Sequence, residues 1–461
     1  MEVIKPYSTY KDSGIPWLGD VPEHWEVKKL KFLLKLQKGK NPKDFSADKV
    51  SLPYLSMEYL RGKNIIKTYV LPQDNLVEVQ EDDILVLWDG ANAGEILKSK
   101  HGFLSSTMAV INFNKNFINK KYFFQFLKSL EKEFKDFSTG TTIPHFNSDI
   151  LLNNHYCIPT LSEQTAIANF LDYKTAKIDR FIFKKKQLIK LLNEQKAAII
   201  NDAVTKGLNP NAKMKPSGIE WLGVIPEHWE VRKLWLLITK SELGGNYSSG
   251  ESLLGIPLIK MGNLGRGNIK LNKIEFIDND IVYQSNHILK KDDFLFNTRN
   301  SAELVGKVSL WRNELPFALF NSNILKIEFN ASVSNSYMNL FFNSKTMINA
   351  LRIICKGTTS VAAIYFKDLS KMEVCFPNSI DEQTAILSHI EKETAIINKT
   401  IATIEKEIAL VQEYRTALIS EAVTGKIDVR EYNVPSFEVN KEYAEIEEEM
   451  SLVAEEEINL D

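Results

Sequence analysis

The chain has 461 residues, 44% of them hydrophobic, with 57 basic and 59 acidic side chains and a formal net charge of −2. Such a length suits two to four domains, and the composition is ordinary for a soluble globular protein. No apolar stretch approaches the roughly 18 residues of a membrane span. The opening MEVIKPYSTYKDSG lacks the apolar core of a signal peptide, so a cytoplasmic protein with no membrane partner is expected.

Residues 11–30, KDSGIPWLGDVPEHWEVKKL, return at 215–234 as KPSGIEWLGVIPEHWEVRKL with 15 of 20 positions identical; chance would give about one. Further matches follow at a slowly growing offset. SLPYLSMEYL (51–60) aligns with GIPLIKMGNL (255–264), and Asp82-Asp83-Ile84-Leu85 with Asp292-Asp293-Phe294-Leu295. Gly140-Thr141-Thr142 aligns with Gly357-Thr358-Thr359, CIPTLSEQTAI (157–167) with CFPNSIDEQTAI (375–386), and AVTKG (203–207) with AVTGK (422–426). One module of about 200 residues is therefore present twice. Residues 31–50, 61–80 and 86–139 share little with their counterparts, so a common frame carries two diverged inserts.

Within each globular part, apolar runs at 83–88 and 294–296 read as strands near Gly and Asn turns. More helical stretches follow near 119–136 and 334–355. A long helix then begins at a capping box, Thr160-Leu161-Ser162-Glu163 or Ser379-Ile380-Asp381-Glu382, and ends near Gly207 or Gly425. Inside it, apolar residues recur in heptads. Ile390, Ile397, Ile404, Val411 and Leu418 form one row of the second copy, with Ile401 and Ile408 in its companion row. The first copy offers Leu171, Ile178, Leu192 and Ile199, accompanied by Ile182 and Ile189. This pattern predicts a coiled coil, and some 44 residues make a strut of about 65 Å.

The expected fold class is α+β: two mixed α/β domains in pseudo-twofold arrangement, joined by two long antiparallel coiled-coil helices. The boundaries are 1–158 for the first domain, 159–207 for the first helix, 208–376 for the second domain, 377–427 for the second helix, and 428–461 for the tail. Residues 436–461 hold ten acidic residues and one lysine, which reads as a solvated helix or a disordered end. The remainder carries 56 basic and 49 acidic side chains, compatible with nucleic acid without demonstrating it.

Catalytic signatures are missing. There is no GxxxxGK[ST] phosphate loop, no [DNS]PP[YFW] segment, no GxGxxG, no HExxH and no Cys/His cluster. No catalytic or metal-binding residue is expected. Cys157 and Cys375 hold equivalent positions in apolar surroundings and read as buried thiols. His24 and His228 in the repeated PEHWE motif read as hydrogen-bonded frame residues, and Trp17, Trp25, Trp221 and Trp229 as packing residues.

The SGIPWLGDVPEHWEVKKL opening, its repeat from Ser217, and the paired EQTAI boxes after a proline resemble the specificity subunit of type I restriction-modification systems over about residues 11–426. The resemblance implies a non-catalytic subunit with two target-recognition domains, each reading one half of a bipartite, asymmetric double-stranded DNA target. It implies two methyltransferase subunits and, in the full complex, restriction subunits as partners. S-adenosylmethionine, ATP and magnesium would be used by those partners, with no cofactor held by this chain.

Phosphates call for Lys and Arg, and base edges for Arg, Lys, Asn and Gln. On that basis the DNA candidates are Lys38, Lys40, Arg61, Lys63, Lys98 and Lys100 in the first domain, and Asn246, Arg266, Arg299 and Asn300 in the second. An ordinary solvated turn is the alternative for each. Partner or helix contacts are expected at Glu163, Gln164, Ile178, Ile182 and Leu192, and at Glu382, Gln383, Ile397, Ile401, Ile404, Ile408 and Val411. Two other functional classes fit the residues taken alone: a coiled-coil scaffold without DNA affinity, and a DNA-acting enzyme with a dispersed active site.

Overall fold

A computed structural model describes residues 5–46, 51–62, 68–71, 75–138, 144–250, 255–358 and 361–435. Lys63, the first Gly-Thr-Thr at 140–142, Thr359 and the acidic tail 436–461 lie outside the described residues. The chain forms two compact units, one of residues 1–186 and 405–461, the other of residues 187–404.

The first unit is built on strands β1 (Glu26–Lys29), β2 (Leu34–Lys38), β3 (Ile84–Leu87), β4 (Ile96–Lys98) and β5 (Met108–Phe113). An antiparallel sheet runs in the order β4-β3-β5-β2. All four residues of β3 are buried, because both faces of the sheet are covered. Ile84 and Val86 join a core with Phe123 and Phe126 of helix α1 (Lys120–Asp136). Leu85 and Leu87 face the other way and pack with Leu55, Val79 and Leu104 of a small three-stranded sheet. Each such side chain contributes about 1.5–3 kcal/mol on leaving water. Strand β6 (His155–Ile158) then returns to pair with β1, Cys157 opposite Val27. Helix α2 (Leu161–Lys206) starts in this unit.

The second unit repeats this plan with β7 (Glu230–Lys233), β8 (Ile238–Leu243), β9 (Phe294–Asn297), β10 (Val308–Leu310) and β11 (Ile324–Phe329). Its sheet order is β8-β11-β9-β10, the same order as in the first unit, again antiparallel. Phe294 and Phe296 face Tyr337 and Phe341, while Leu295 faces Ile259, Trp311 and Phe320. The helical stretch expected near 334–355 divides into α3 (Asn335–Phe342) and α4 (Lys345–Ile354). The break falls at Ser344, whose hydroxyl accepts from Met347 N to cap a new helix, as Ser and Asn side chains compete with helical backbone bonds. Strand β12 (Glu373–Phe376) pairs with β7, Cys375 opposite Val231, and helix α5 (Ile380–Val423) follows.

Both long helices, of 46 and 44 residues, are free of Gly and Pro. At the start of α2 the capping box closes: Glu163 N donates to Thr160 Oγ1 and Thr160 N donates to Glu163 Oε2, each at 3.3 Å. At α5 only the Glu382 N bond to Ser379 Oγ forms, at 3.4 Å. Gly207 and Gly425 end the helices with φ of 76° and 74°, where a side chain would strain the backbone.

Within the first unit the early turns of α2 run antiparallel to the last turns of α5. Asp179 pairs with Arg415 at 3.3 Å and Lys185 with Glu407 at 2.7 Å. Ile178 and Ile182 are buried, and Ile408 and Val411 pack half-buried against the same core. In the second unit Ile397 and Ile404 are buried, Leu192 and Ile401 half-buried, and Lys196 Nζ donates to Asn398 Oδ1 at 2.8 Å.

Candidate nucleic-acid interface

The repeated PEHWE motif is a clamp. His24 Nε2 lies 2.9 Å from Glu163 Oε1, and Trp25 Nε1 donates to the same oxygen at 3.4 Å. In the second unit His228 and Trp229 both reach Glu382 at 2.9 Å. Trp25 and Trp229 are fully buried, Trp221 is half-buried, and Trp17, contrary to expectation, is 51% exposed.

The adjacent glutamines are equally fixed. Gln164 accepts from Asn119 N and donates to Phe117 O and Pro159 O. Gln383 accepts from Ser334 N and donates to Ser332 O and Pro377 O. Both are fully buried, so these residues brace each helix start against its own domain and offer a partner no surface. That inward placement corrects the expectation of a partner contact at Gln164 and Gln383.

The predicted DNA residues do not form one group. Lys98 lies opposite Ile84, at the far end of β3 from Asp89; it pairs with Asp82 at 3.5 Å, and Lys100 sits over the Tyr59 ring at 4.9 Å. Arg61 is tied to Glu95. Asn300 turns its side-chain oxygen back to Ser301 N. Lys40 and Asn246 are exposed, one and two residues beyond Gly39 and Gly244, where an added Cβ would fall 2.1 and 2.2 Å from a backbone oxygen of the neighbouring segment.

Lys38 and Arg299 lead to a shared site. Backbone hydrogen bonds identify matching positions in the two domains. Leu87 N donates to Glu95 O and Asn297 N to Lys307 O, both at 2.8 Å. Trp88 N donates to Thr107 O at 2.7 Å, and Thr298 N to Asn323 O at 2.9 Å. Asp89 bridges to His145 as Arg299 bridges to Ala363, and Lys38 lies opposite Ala109 as Leu243 lies opposite Leu325.

The same backbone carries opposite chemistry. In the first domain, Lys38 Nζ lies 3.1 Å from Asp89 and 5.2 Å from the centre of the Trp88 ring, while His145 Nδ1 lies 2.7 Å from Asp89. Burial pushes the Asp89 carboxyl up, but hydrogen bonds from His145 and Lys38 outweigh it and hold Asp89 below the usual carboxylate range. In the second domain the counterpart is Arg299, exposed and, among the described residues, without a carboxylate partner. It lines a cleft of about 510 Å³ together with Leu243, Thr298, Asn323, Tyr365 and Phe366.

Sequence reasoning missed Trp88, Asp89, His145, Tyr365 and Phe366. Extending the Asp82/Asp292 match through the glycines Gly94 and Gly306 is the signal that finds the first two. Among the described residues no cluster of His, Cys, Asp and Glu could hold a metal ion, and no helix is long and apolar enough to cross a membrane.

Two frames of one design thus present different polar groups at the same strand end. Known proteins point the same way. The family described as type I restriction modification DNA specificity domain matches residues 22–191 and 226–409. The type I restriction enzyme MjaVIII specificity subunit of Methanocaldococcus jannaschii is 29% identical over 420 residues, covering 90% of this chain and 95% of the relative. The EcoKI specificity subunit of Escherichia coli is 23% identical over 433 residues, covering 89% and 90%. A solved chain from work on the complex assembly and conformational transition of the type I R-M system has a TM-score of 0.59 at 14% identity, with 88% of this chain and 99% of that one covered, a likeness of fold. The chain belongs to the family of type I restriction-modification DNA specificity subunits. That membership makes DNA target recognition its task.

Proposed function

We propose that each domain reads one half of a bipartite, asymmetric double-stranded DNA target. The observation that carries this is the matched strand end, where Lys38, Asp89 and His145 in one domain stand at the positions of Leu243, Arg299 and Ala363 in the other. A frame repeated so closely has no need of opposite charge at one position unless the two copies meet different bases. Carboxylates accept from cytosine amino groups and an arginine fork suits guanine, so the two sites prefer different base edges.

The two long helices act as a spacer whose length sets the gap between half-sites, each base pair spanning about 3.4 Å of duplex. Exposed apolar side chains on them, including Phe181, Leu191, Ile396, Leu410 and Tyr414, supply the surface for two methyltransferase subunits. Restriction subunits join through that assembly. S-adenosylmethionine, ATP and magnesium serve the partners, and this chain holds no cofactor.

A genome-wide map of methyladenine with the gene intact and deleted tests the reading. Loss of one bipartite motif supports it and reveals both half-sites and the gap. An unchanged map in cells that express the complex would overturn it. Insertion of one helical turn in both helices is expected to change the gap and leave the half-sites alone.

A further inference from the structure

We propose that the second domain holds a site for one phosphate of the DNA backbone, formed by Arg266, Lys307 and Arg352, where the first domain closes the same position with an internal ion pair. This site rests on the DNA-reading function above and adds to it an interaction that only one half of the target receives.

Matched positions in the two domains carry reversed charge. Arg61 and Arg266 each precede a glycine with positive φ, Gly62 at 71° and Gly267 at 85°. Arg61 is neutralised by Glu95. Glu95 follows Gly94, whose N–H donates to Leu87 O at 2.8 Å. Its counterpart follows Gly306, whose N–H donates to Asn297 O at 2.9 Å. That counterpart is Lys307. The second domain has an arginine too, but a second cation, Lys307, where the first has the acid Glu95.

Three segments bring the cations together. Gly267 N donates to Val308 O at 2.7 Å, which lays the Arg266 turn beside Lys307. Helix α4 closes on the same place, since Leu351 Cδ1 lies 3.1 Å from where a Cβ on Gly306 would sit, and Arg352 is the next residue. Arg266 Nη2 donates to Glu303 O at 3.3 Å, but its Nη1 is buried without a hydrogen-bond partner. Among the described residues none of Arg266, Lys307 and Arg352 forms an ion pair. Burial, then the Arg352 charge, pushes the Arg266 guanidinium down; burial, then Lys270 and Arg266, pushes the Lys307 ammonium down. Like charges held this close, one of them partly withdrawn from water, call for an anion. The cluster lies at the Asn297 end of β9, the end that also carries Arg299, so a backbone phosphate flanking the base-reading cleft is the anion that fits.

The test is a salt series on DNA binding by the complex of this chain with its modification subunits. Lys307→Glu rebuilds the ion pair of the first domain. The slope of log K against log salt is expected to shrink by about 0.9 for each phosphate that the variant no longer neutralises. The thermal midpoint is expected to hold or rise, because the repulsion is removed; a merely structural lysine would lose stability instead. Lys307→Arg keeps the wild-type slope. A methylphosphonate scanned along the duplex should weaken the wild type at one position and leave the Lys307→Glu complex indifferent there. Arg352→Gln, exposed on α4, gives the same shrinkage if the glutamate variant fails to fold. A wild-type slope in both variants overturns the site. Absence of salt-dependent binding by the wild type would overturn the DNA-reading function itself.

Discussion

Glu163 and His24 lie 139 residues apart in sequence and 2.9 Å apart in space, and Glu382 holds His228 at the same distance. One carboxylate thereby ties the start of a long helix to the motif that opens its domain. Glu163→Gln keeps the shape and removes the charge. The loss is expected to cost about 1.5–3 kcal/mol, the usual range for bonds to a charged group, seen as a lower urea midpoint. Burial pushes the Glu163 carboxyl up, but the bonds from His24, Trp25 and Thr160 prevail and hold it below the usual carboxylate range. Its contribution is therefore complete above the ordinary glutamate range and lost as pH falls through the lowered one. Acid unfolding curves of the wild type should show this loss, and those of the glutamine variant should lack it.

Gly425 is a second joint of the clamp. Its φ is 74°, and an added Cβ would stand 2.4 Å from Pro22 Cδ. Gly425→Ala should cost the left-handed strain of about 1–2 kcal/mol and the displacement of Pro22 besides. Gly207→Ala meets Trp229 only at 3.3 Å, so its cost should stay near the strain alone. Chemical denaturation of the two variants gives the order directly.

Asp89→Asn and Arg299→Ala should each relax one half-site by about 1–3 kcal/mol per base read while the other half keeps its preference. Methylation patterns in cells carrying each variant measure this. Relaxation of both halves by a single substitution would count against one domain per half-site.

Burial pushes the thiols of Cys157 and Cys375 up to about 12, so they are poor nucleophiles in the folded chain. Cys355 is half-buried. Native labelling with a thiol reagent should modify Cys355 first and reach three thiols per chain only on unfolding.

The frame was legible because periodicity and capping are local. The heptad rows, the Thr160–Glu163 box and the two terminal glycines all act within a few residues of themselves, and the repeat doubled every signal. The division at Ser344 was not, since one capping hydroxyl outweighs a continuing helical pattern. The candidate site was half legible. Lys38 and Arg299 stand out as basic residues near turns, but Asp89 reads as an ordinary turn acid until His145, 56 residues later, is brought to it. Gln164 and Gln383 misled for the opposite reason: their repetition reflects burial inside the chain. Likewise Lys98 and Lys100 meet the chemical criterion but sit at the far end of the strand, a fact that only topology supplies.

The order of synthesis gives the split architecture a temporal consequence. Residues 187–404 are contiguous and can fold as soon as they leave the ribosome, whereas the first unit needs Leu418, Ile419, Ala422 and Val423 to complete its core. The Tyr122 hydroxyl must wait for the Val423 carbonyl it donates to, 301 residues further on. At about 5–20 residues per second that wait lasts roughly 15–60 s. The half of the molecule made first is thus the last to close, and it leaves the ribosome as a nascent domain with an open apolar seam.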